Sequence, residues 1–346
     1  MGAAGALDVL IVSLGSTIGL RTADESLAGS LERAGVSVAI ARAAEPRAVR
    51  TMALTDLLWA RAARAAAERH LSGPASAAPR AIIYSSTTAA LFWPQPGAIR
   101  FDAPAAGNRP GRHGLWQRPL ERRRLAETPL LLPLSEGGLD EVPASARTGD
   151  RALVLALAAE PSGPPAAERD ICAITYAANP RKKGLDRVLA AWRELWAERP
   201  HVGGGELVVA GASPQELRAA GIELEAEPGV RSVGRLGAEE YRALVRRARV
   251  FICAPRREDY GAAQLEALAD GCMLVSTPAP GPYVALSLAR ELDGRLLSED
   301  LAGALRAALE SPAEGYAERA ARALAPFSRA AIDERVARQL LPRLLG

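Results

Sequence analysis

Two glutamates, Glu258 and Glu266, have seven residues between them and straddle Gly261-Ala262-Ala263. The surrounding segment, Val250 to Pro280, reads as a buried strand, a loop, a helix opened by Gly261 and closed by Gly271, and a second buried strand. A helix N-terminus offers free backbone N–H groups and a partial positive charge, so this turn can hold a phosphate with no side chain in the way. Carboxylates accept hydrogen bonds from hydroxyls. The pair can therefore grip two polyols, a sugar and a ribose, on either side of a diphosphate.

A second candidate is the turn Tyr176 to Gly184, placed between a strand and a helix. It holds Lys182 and Lys183, and every other basic residue of the 43 in the chain is an arginine. A lysine kept against that bias suits a task that arginine performs poorly, such as setting a compact ammonium on a phosphate. Arg181 adds a third cation to the turn.

Glu258, Tyr260, Gly261, Leu265-Glu266-Ala267, Gly271 and Leu274-Val275 together resemble the E-x7-E region of retaining GT-B glycosyltransferases, especially glycosyltransferase family 4. Lys183-Gly184 is similar to the lysine-glycine pair of that family, whose lysine binds the donor diphosphate. The resemblance implies catalytic roles for Lys183 and Glu258. It implies donor contacts at Arg181, Lys182, Gly184, Tyr260, Gly261, Ala262, Ala263 and Glu266. Such a lysine would offset the charge that builds on the departing nucleoside diphosphate. One departure stands out: the family's glycine-arginine pair before the lysine is here Tyr176-Ala177. Arg181, Lys182 or a residue of the first domain would have to compensate.

In the first half, Gly15-Ser16-Thr17-Ile18-Gly19 follows the first strand, where the family places a glycine-rich loop near the donor diphosphate. Gly15 and Ser16 are accordingly expected to touch donor. Relatives often carry a histidine after the strand ending Ile99-Arg100-Phe101; this chain has Asp102 there, which is expected to meet donor or acceptor at the catalytic centre. His113, Arg122, Arg123 and Arg124 belong to a basic stretch around Trp116 and Leu120. Such a patch suits an anionic acceptor or an anionic membrane surface, or simply a solvated helix face.

The elements that must position these groups follow one rhythm: a short apolar run, a turn, an amphipathic stretch. That is the pattern of βα units around a parallel sheet. Strands are expected at Leu7 to Leu14, Val36 to Ala41, Ala81 to Tyr84, Ala98 to Phe101, Leu130 to Leu134 and Ala152 to Leu157. Helices are expected at Glu25 to Ala34 and Thr51 to Leu71, the second closed by Gly73-Pro74. Ala159 to Asp170, with three prolines, has the composition of a linker. A second series follows, with strands Ile171 to Tyr176, Glu206 to Ala210, Val230 to Val233, Val250 to Cys253 and Cys272 to Ser276. Arg329 to Leu341 reads as a last amphipathic helix with Pro342 just past its end.

The expected fold class is therefore α/β, of the GT-B kind: two facing Rossmann-like domains with parallel sheets, and a C-terminal helix crossing back. The boundaries are 1–160 for an acceptor-side domain, 161–328 for a nucleotide-sugar domain and 329–346 for the returning helix. Ligands of such sheets bind at the carboxyl ends of the strands.

Composition narrows the classes. The 346 residues are 49% hydrophobic and 24% charged, with a net charge of +3. That fits a folded protein and gives no basic stripe for nucleic acid. The N-terminal apolar run is interrupted by Asp8 and lacks a basic lead, so it reads as a strand rather than a signal peptide. A cytoplasmic protein is expected, in peripheral contact with the inner membrane face at most. Cys172, Cys253 and Cys272, and His70, His113 and His201, show no metal-ligand spacing. No metal and no tightly bound cofactor are called for.

The expected activity is transfer of a sugar from a UDP- or GDP-linked donor to a hydroxyl of a glycan, lipid-linked or small-molecule acceptor, with retention of configuration. Two rivals stay open: a non-catalytic nucleotide or glycan binder, and another GT-B enzyme such as a nucleotide-sugar epimerase or a phosphorylase.

Overall fold

The computed structural model describes residues 7–72, 78–109, 111–147, 149–198 and 205–346. The helix stop expected at Gly73-Pro74, and His201, lie outside them. The chain divides into two compact units, one running to Ala158 and including Arg329–Gly346, the other Ala159–Ser328.

The first unit is a sheet of five parallel strands in the order β2-β1-β3-β4-β5. Its elements are β1 (Val9–Ser13), α1 (Ile18–Arg33), β2 (Val38–Arg42), α2 (Met52–Leu71), β3 (Ala81–Tyr84), α3 (Thr87–Ala90), β4 (Ala98–Phe101), α4 (Ala105–Asn108), α5 (Gln117–Glu127), β5 (Leu131–Pro133) and α6 (Glu136–Asp140). Val9 to Val12 are fully buried, as a central parallel strand covered on both faces requires.

Two expectations are corrected here. Helix α1 starts at Ile18 rather than Glu25, because the Thr17 hydroxyl caps it by accepting from the Leu20 N–H at 3.2 Å. Ile18 and Gly19 are therefore helical, and only Gly15 of the expected loop needs a positive φ, +58°. The strand expected at Ala152 to Leu157 forms only a single parallel bridge, Ala152 to Leu131. Leu153 and Leu155 donate to the carbonyls of Leu131 and Pro133, and the Leu131 N–H donates back to the Arg151 carbonyl, but Pro133 has no N–H to return, so the ladder stops after one bridge.

The second unit repeats the plan in the order β10-β9-β6-β7-β8, again all parallel. It contains β6 (Ile171–Tyr176), α7 (Leu185–Glu198), β7 (Leu207–Ala210), α8 (Pro214–Ala219), β8 (Val230–Gly234), α9 (Ala238–Arg247), β9 (Ala248–Cys253), α10 (Ala262–Ala269), β10 (Met273–Ser276), α11 (Val284–Asp293), α12 (Leu301–Glu310) and α13 (Tyr316–Ala323). Val188, Leu189, Trp192 and Leu195 recur at helical spacing and bury one face of α7. The buried Trp192 satisfies its indole N–H on the Pro228 carbonyl at 2.9 Å.

The chain then rejoins the first unit through α14 (Arg329–Arg335), a π turn (Val336–Leu340) and α15 (Leu341–Leu345). Ile332, Val336 and Leu340 are buried in a core shared with Val9, Ile11, Leu31 and Ile83. Asp333 takes Arg33 at 2.6 Å. Pro342 does not end this helix as expected. The wider π turn before it absorbs the proline, which cannot donate to the preceding turn. Among the described residues no helix is long and apolar enough to cross a membrane.

Candidate functional site

In the second unit, two loops at the carboxyl ends of neighbouring strands are laced together: Ala177 to Gly184 after β6, and Ala254 to Gly261 after β9. The first is folded on Asn179, whose side chain accepts from the Lys182 N–H at 3.0 Å and whose carbonyl accepts from the Lys183 N–H at 2.9 Å. Gly184 then enters α7 with φ +66°, and a Cβ there would lie 1.8 Å from the Ala254 carbonyl oxygen. Only glycine allows that approach. The Arg256 N–H donates to the Lys182 carbonyl at 3.0 Å, and its guanidinium reaches the Arg181 carbonyl and both oxygens of Asp186.

This lacing gives each lysine its own carboxylate. Lys183 Nζ lies 2.6 Å from Glu258 Oε2, and Lys182 Nζ lies 3.0 Å from Asp259 Oδ2. The two pairs differ in solvation. Lys183 and Glu258 have side chains 22% and 8% exposed, whereas Lys182 is 45% exposed and Asp259 keeps a second partner, Arg257, at 2.7 Å. Burial alone would push the Asp259 carboxyl up, but Lys182 and Arg257 outweigh it and hold the group below its ordinary value.

Gly261, with φ +91°, starts α10, and a Cβ on it would meet the Tyr283 ring at 2.8 Å. Tyr283 is fixed beneath by Ser276 and Cys253, its hydroxyl 3.2 Å and 3.4 Å from their side-chain heteroatoms. The Glu258 N–H donates to the Pro280 carbonyl at 3.1 Å, and Gly281 packs so tightly on Glu258 that its Cβ would fall 2.3 Å from the Glu258 carbonyl oxygen. The Glu258 backbone is thus held from both strands' loops.

Glu266, on the same helix, is different. Its side chain is 38% exposed, and its nearest cation is Arg242 at 3.9 Å. Burial of its inner part raises the carboxyl above its ordinary value, Arg242 opposes this, and Asp270 adds to it. Arg242 itself is fixed by Asp270 at 2.6 Å; the Asp270 side chain is fully buried and also takes the Ser162 N–H at 2.7 Å. Tyr176 and Tyr241 stand close by as a tilted pair with ring centres 5.1 Å apart. Both phenols are raised, first by burial and then by the Glu266 charge.

The remaining donor-side candidates fall where backbone matters more than side chain. Ala262 and Ala263 open α10, Tyr260 is buried, and Arg181 is exposed. Ala177 is 1% exposed, with its N–H on the Ala210 carbonyl at 2.8 Å.

Gly15, Ser16, Asp102, His113, Arg122 and Arg123 belong to the first unit. Gly15 and Ser16 border a cavity of about 430 Å³ that Arg21, Arg42 and Trp59 also line. The half-buried Asp102 folds its carboxylate onto the Ala103 N–H at 2.8 Å, directly after β4. His113 and Arg122 are exposed, and Arg123 pairs with Glu127 at 2.6 Å. Arg124 is not part of an open patch: it donates to the Leu91 carbonyl at 3.0 Å and lies 5.0 Å from the centre of the Trp93 ring.

Sequence reasoning missed Gln264, Arg242, Asp270 and Asp259. Gln264 is 2% exposed and donates from Nε2 to Glu258 Oε2 at 3.3 Å. A polar residue in an otherwise apolar helix face was the available signal for Gln264. Arg242 carried none.

Residues 168–311, which contain both laced loops, match the family described as Glycosyl transferases group 1. The match is confined to this segment of the second unit. The whole chain has the GT-B fold. It superposes on WaaG, a glycosyltransferase involved in lipopolysaccharide biosynthesis, with a TM-score of 0.69 and 15% identity over 96% of this chain and 98% of that one. The Anabaena protein Alr3699/HepE, solved in complex with UDP and glucose, gives a TM-score of 0.64 at 14% identity over 97% and 99%. An E. coli trehalose-6-phosphate protein bound with UDP-2-fluoro glucose gives 0.66 at 14% over 95% and 97%. At such identities the likeness is one of fold. A sequence search of curated proteins finds no match.

Proposed function

We propose that the protein is a retaining glycosyltransferase that moves a sugar from a UDP- or GDP-linked donor to an acceptor hydroxyl. The observation that carries this reading is the half-buried Lys183–Glu258 pair at 2.6 Å, set beside the N-terminus of α10 that Gly261 leaves bare. The diphosphate would lie on the free N–H groups of Ala262 and Ala263, where the helix field favours an anion. As the glycosidic bond stretches, charge would accumulate on the departing phosphate, and Lys183 would be the cation that offsets it. Glu258 would accept from a hydroxyl of the transferred sugar and Glu266 from the donor ribose.

The departing phosphate would help to deprotonate the acceptor hydroxyl on the same face of the ring, which retains configuration. The second unit would thus handle donor. The first would handle acceptor, with Gly15 and Ser16 proposed as donor contacts and Asp102 as a catalytic residue. Arg122 and Arg123 would meet an anionic acceptor or lipid headgroup, with His113 beside them.

One observation favours a second reading, a binding protein without turnover: the buried Ala177 stands where relatives carry an arginine. Incubation with UDP-, GDP- and ADP-sugars, with release of nucleoside diphosphate as the readout, separates the two. Release expected for at least one donor supports transfer, and a thermal shift with nucleotide but no release supports the binder.

A further inference from the structure

We infer that Gln264 is a positioning residue that keeps Glu258 in place when Lys183 turns to the donor diphosphate. This rests on the donor assignment above for its use in catalysis, and on geometry alone for the hold on Glu258.

Glu258 Oε2 receives two donors, Lys183 Nζ at 2.6 Å and Gln264 Nε2 at 3.3 Å. Only one of them can leave. The ammonium sits on a flexible stem with three rotatable donors, so a diphosphate can draw it away. The amide sits in the first turn of α10, 2% exposed and packed against Cys253. A carboxylate that is 8% exposed cannot lose its cation without another donor to satisfy it. Gln264 supplies that donor without adding a charge that would compete with Lys183 for the phosphate.

A second feature supports a functional reason for the amide. Gln264 Oε1 is buried with no hydrogen-bond partner among the described residues. An orphaned acceptor in a packed interior is a stability cost that an apolar side chain of the same size would avoid. The amide's gain lies on its other atom, and that atom points at Glu258. Nε2 must be the end facing the carboxylate, since both Glu258 oxygens are acceptors.

The test is a double-mutant cycle on the full chain, Lys183→Met, Gln264→Met and the pair, read by urea unfolding. With Lys183 in place, Gln264→Met is expected to change the folding equilibrium by less than about threefold, because the lost bond and the removed orphan offset each other. With Lys183 replaced, the same change is expected to cost about tenfold or more. Additive effects would overturn the inference. This cycle needs no nucleotide-sugar, so a wild type that turns nothing over sinks the glycosyltransferase reading and leaves the cycle to decide Gln264. For a wild type that does turn over, Gln264→Met alone is expected to lower kcat about tenfold at an unchanged melting temperature and KM. An unchanged kcat would also overturn it.

Discussion

Replacing Lys183 by alanine perturbs two things at once, and the structure allows them to be separated. The first is stability. Breaking a fully buried ion pair by removing one partner costs about 3–5 kcal/mol. Lys183 is 22% exposed and Glu258 keeps Gln264, so the expected loss is smaller, about 2 kcal/mol. For Lys182→Ala the exposed lysine and the second partner of Asp259 reduce the loss to about 0–1 kcal/mol. The second is rate. Removing one preorganised stabiliser of developing negative charge costs about 10²–10³. With no arginine at Ala177, Lys183→Ala should reach or exceed that loss, whereas Lys182→Ala should stay within about tenfold of wild type. The assay is single-turnover transfer beside urea unfolding for wild type, both lysine variants and Lys183→Met/Glu258→Gln. The last removes both charges, so it should recover stability while remaining inactive, which shows that the lost rate is not lost fold. Equal rate losses at the two lysines would reduce the site to a diffuse basic turn. A wild-type rate in Lys183→Ala would refute the mechanism.

Glu266→Ala should weaken nucleoside diphosphate binding in calorimetry more than it slows transfer from saturating donor; unchanged affinity would remove its ribose role. Gly184→Ala should destabilise the second unit by at least about 2 kcal/mol in thermal unfolding, since its φ of +66° and the 1.8 Å approach to Ala254 both oppose a Cβ. Glu121 tests a different kind of term: burial pushes its carboxyl up from 4.5 to about 6, despite the Thr87 side chain and the Ala105 N–H that favour its charged form. A raised carboxyl contributes stability that is complete below pH 4.5 and lost as pH rises through about 6, roughly 2 kcal/mol in all. The stability difference between wild type and Glu121→Gln should therefore shift against wild type across that window, and a pH-independent difference would contradict it.

The parts of this molecule that sequence reveals are those encoded by residue type at a fixed local position. Gly261 and Gly184 mark where backbone must run close to another group, and the structure shows the obstructing atoms: the Tyr283 ring and the Ala254 carbonyl. The alternation of apolar runs and amphipathic stretches encodes the two parallel sheets for a related reason: inner strands such as β1 and β7 are buried on both faces, while the edge strands β2 and β8 are only partly covered. Where a boundary depended on a capping hydroxyl, a missing proline N–H or a π turn, as at Thr17, Pro133 and Pro342, the apolar pattern carried no trace of it. The site divides along the same line. Lys183 and Glu258 were each assigned to the donor, but their pairing joins residues 75 apart and depends on how two loops cross. Arg242 was invisible for a further reason: in a chain whose cations are nearly all arginine, one more arginine in an amphipathic helix is unremarked. Yet it is the group that ties Glu266 to Asp270, and through Asp270 to Ser162 in the segment entering the second unit. Glu266, the carboxylate proposed for the donor ribose, therefore sits beside a cation fixed by a contact made across the fold, so a substitution at Arg242 should alter nucleotide affinity although the residue lies outside every motif.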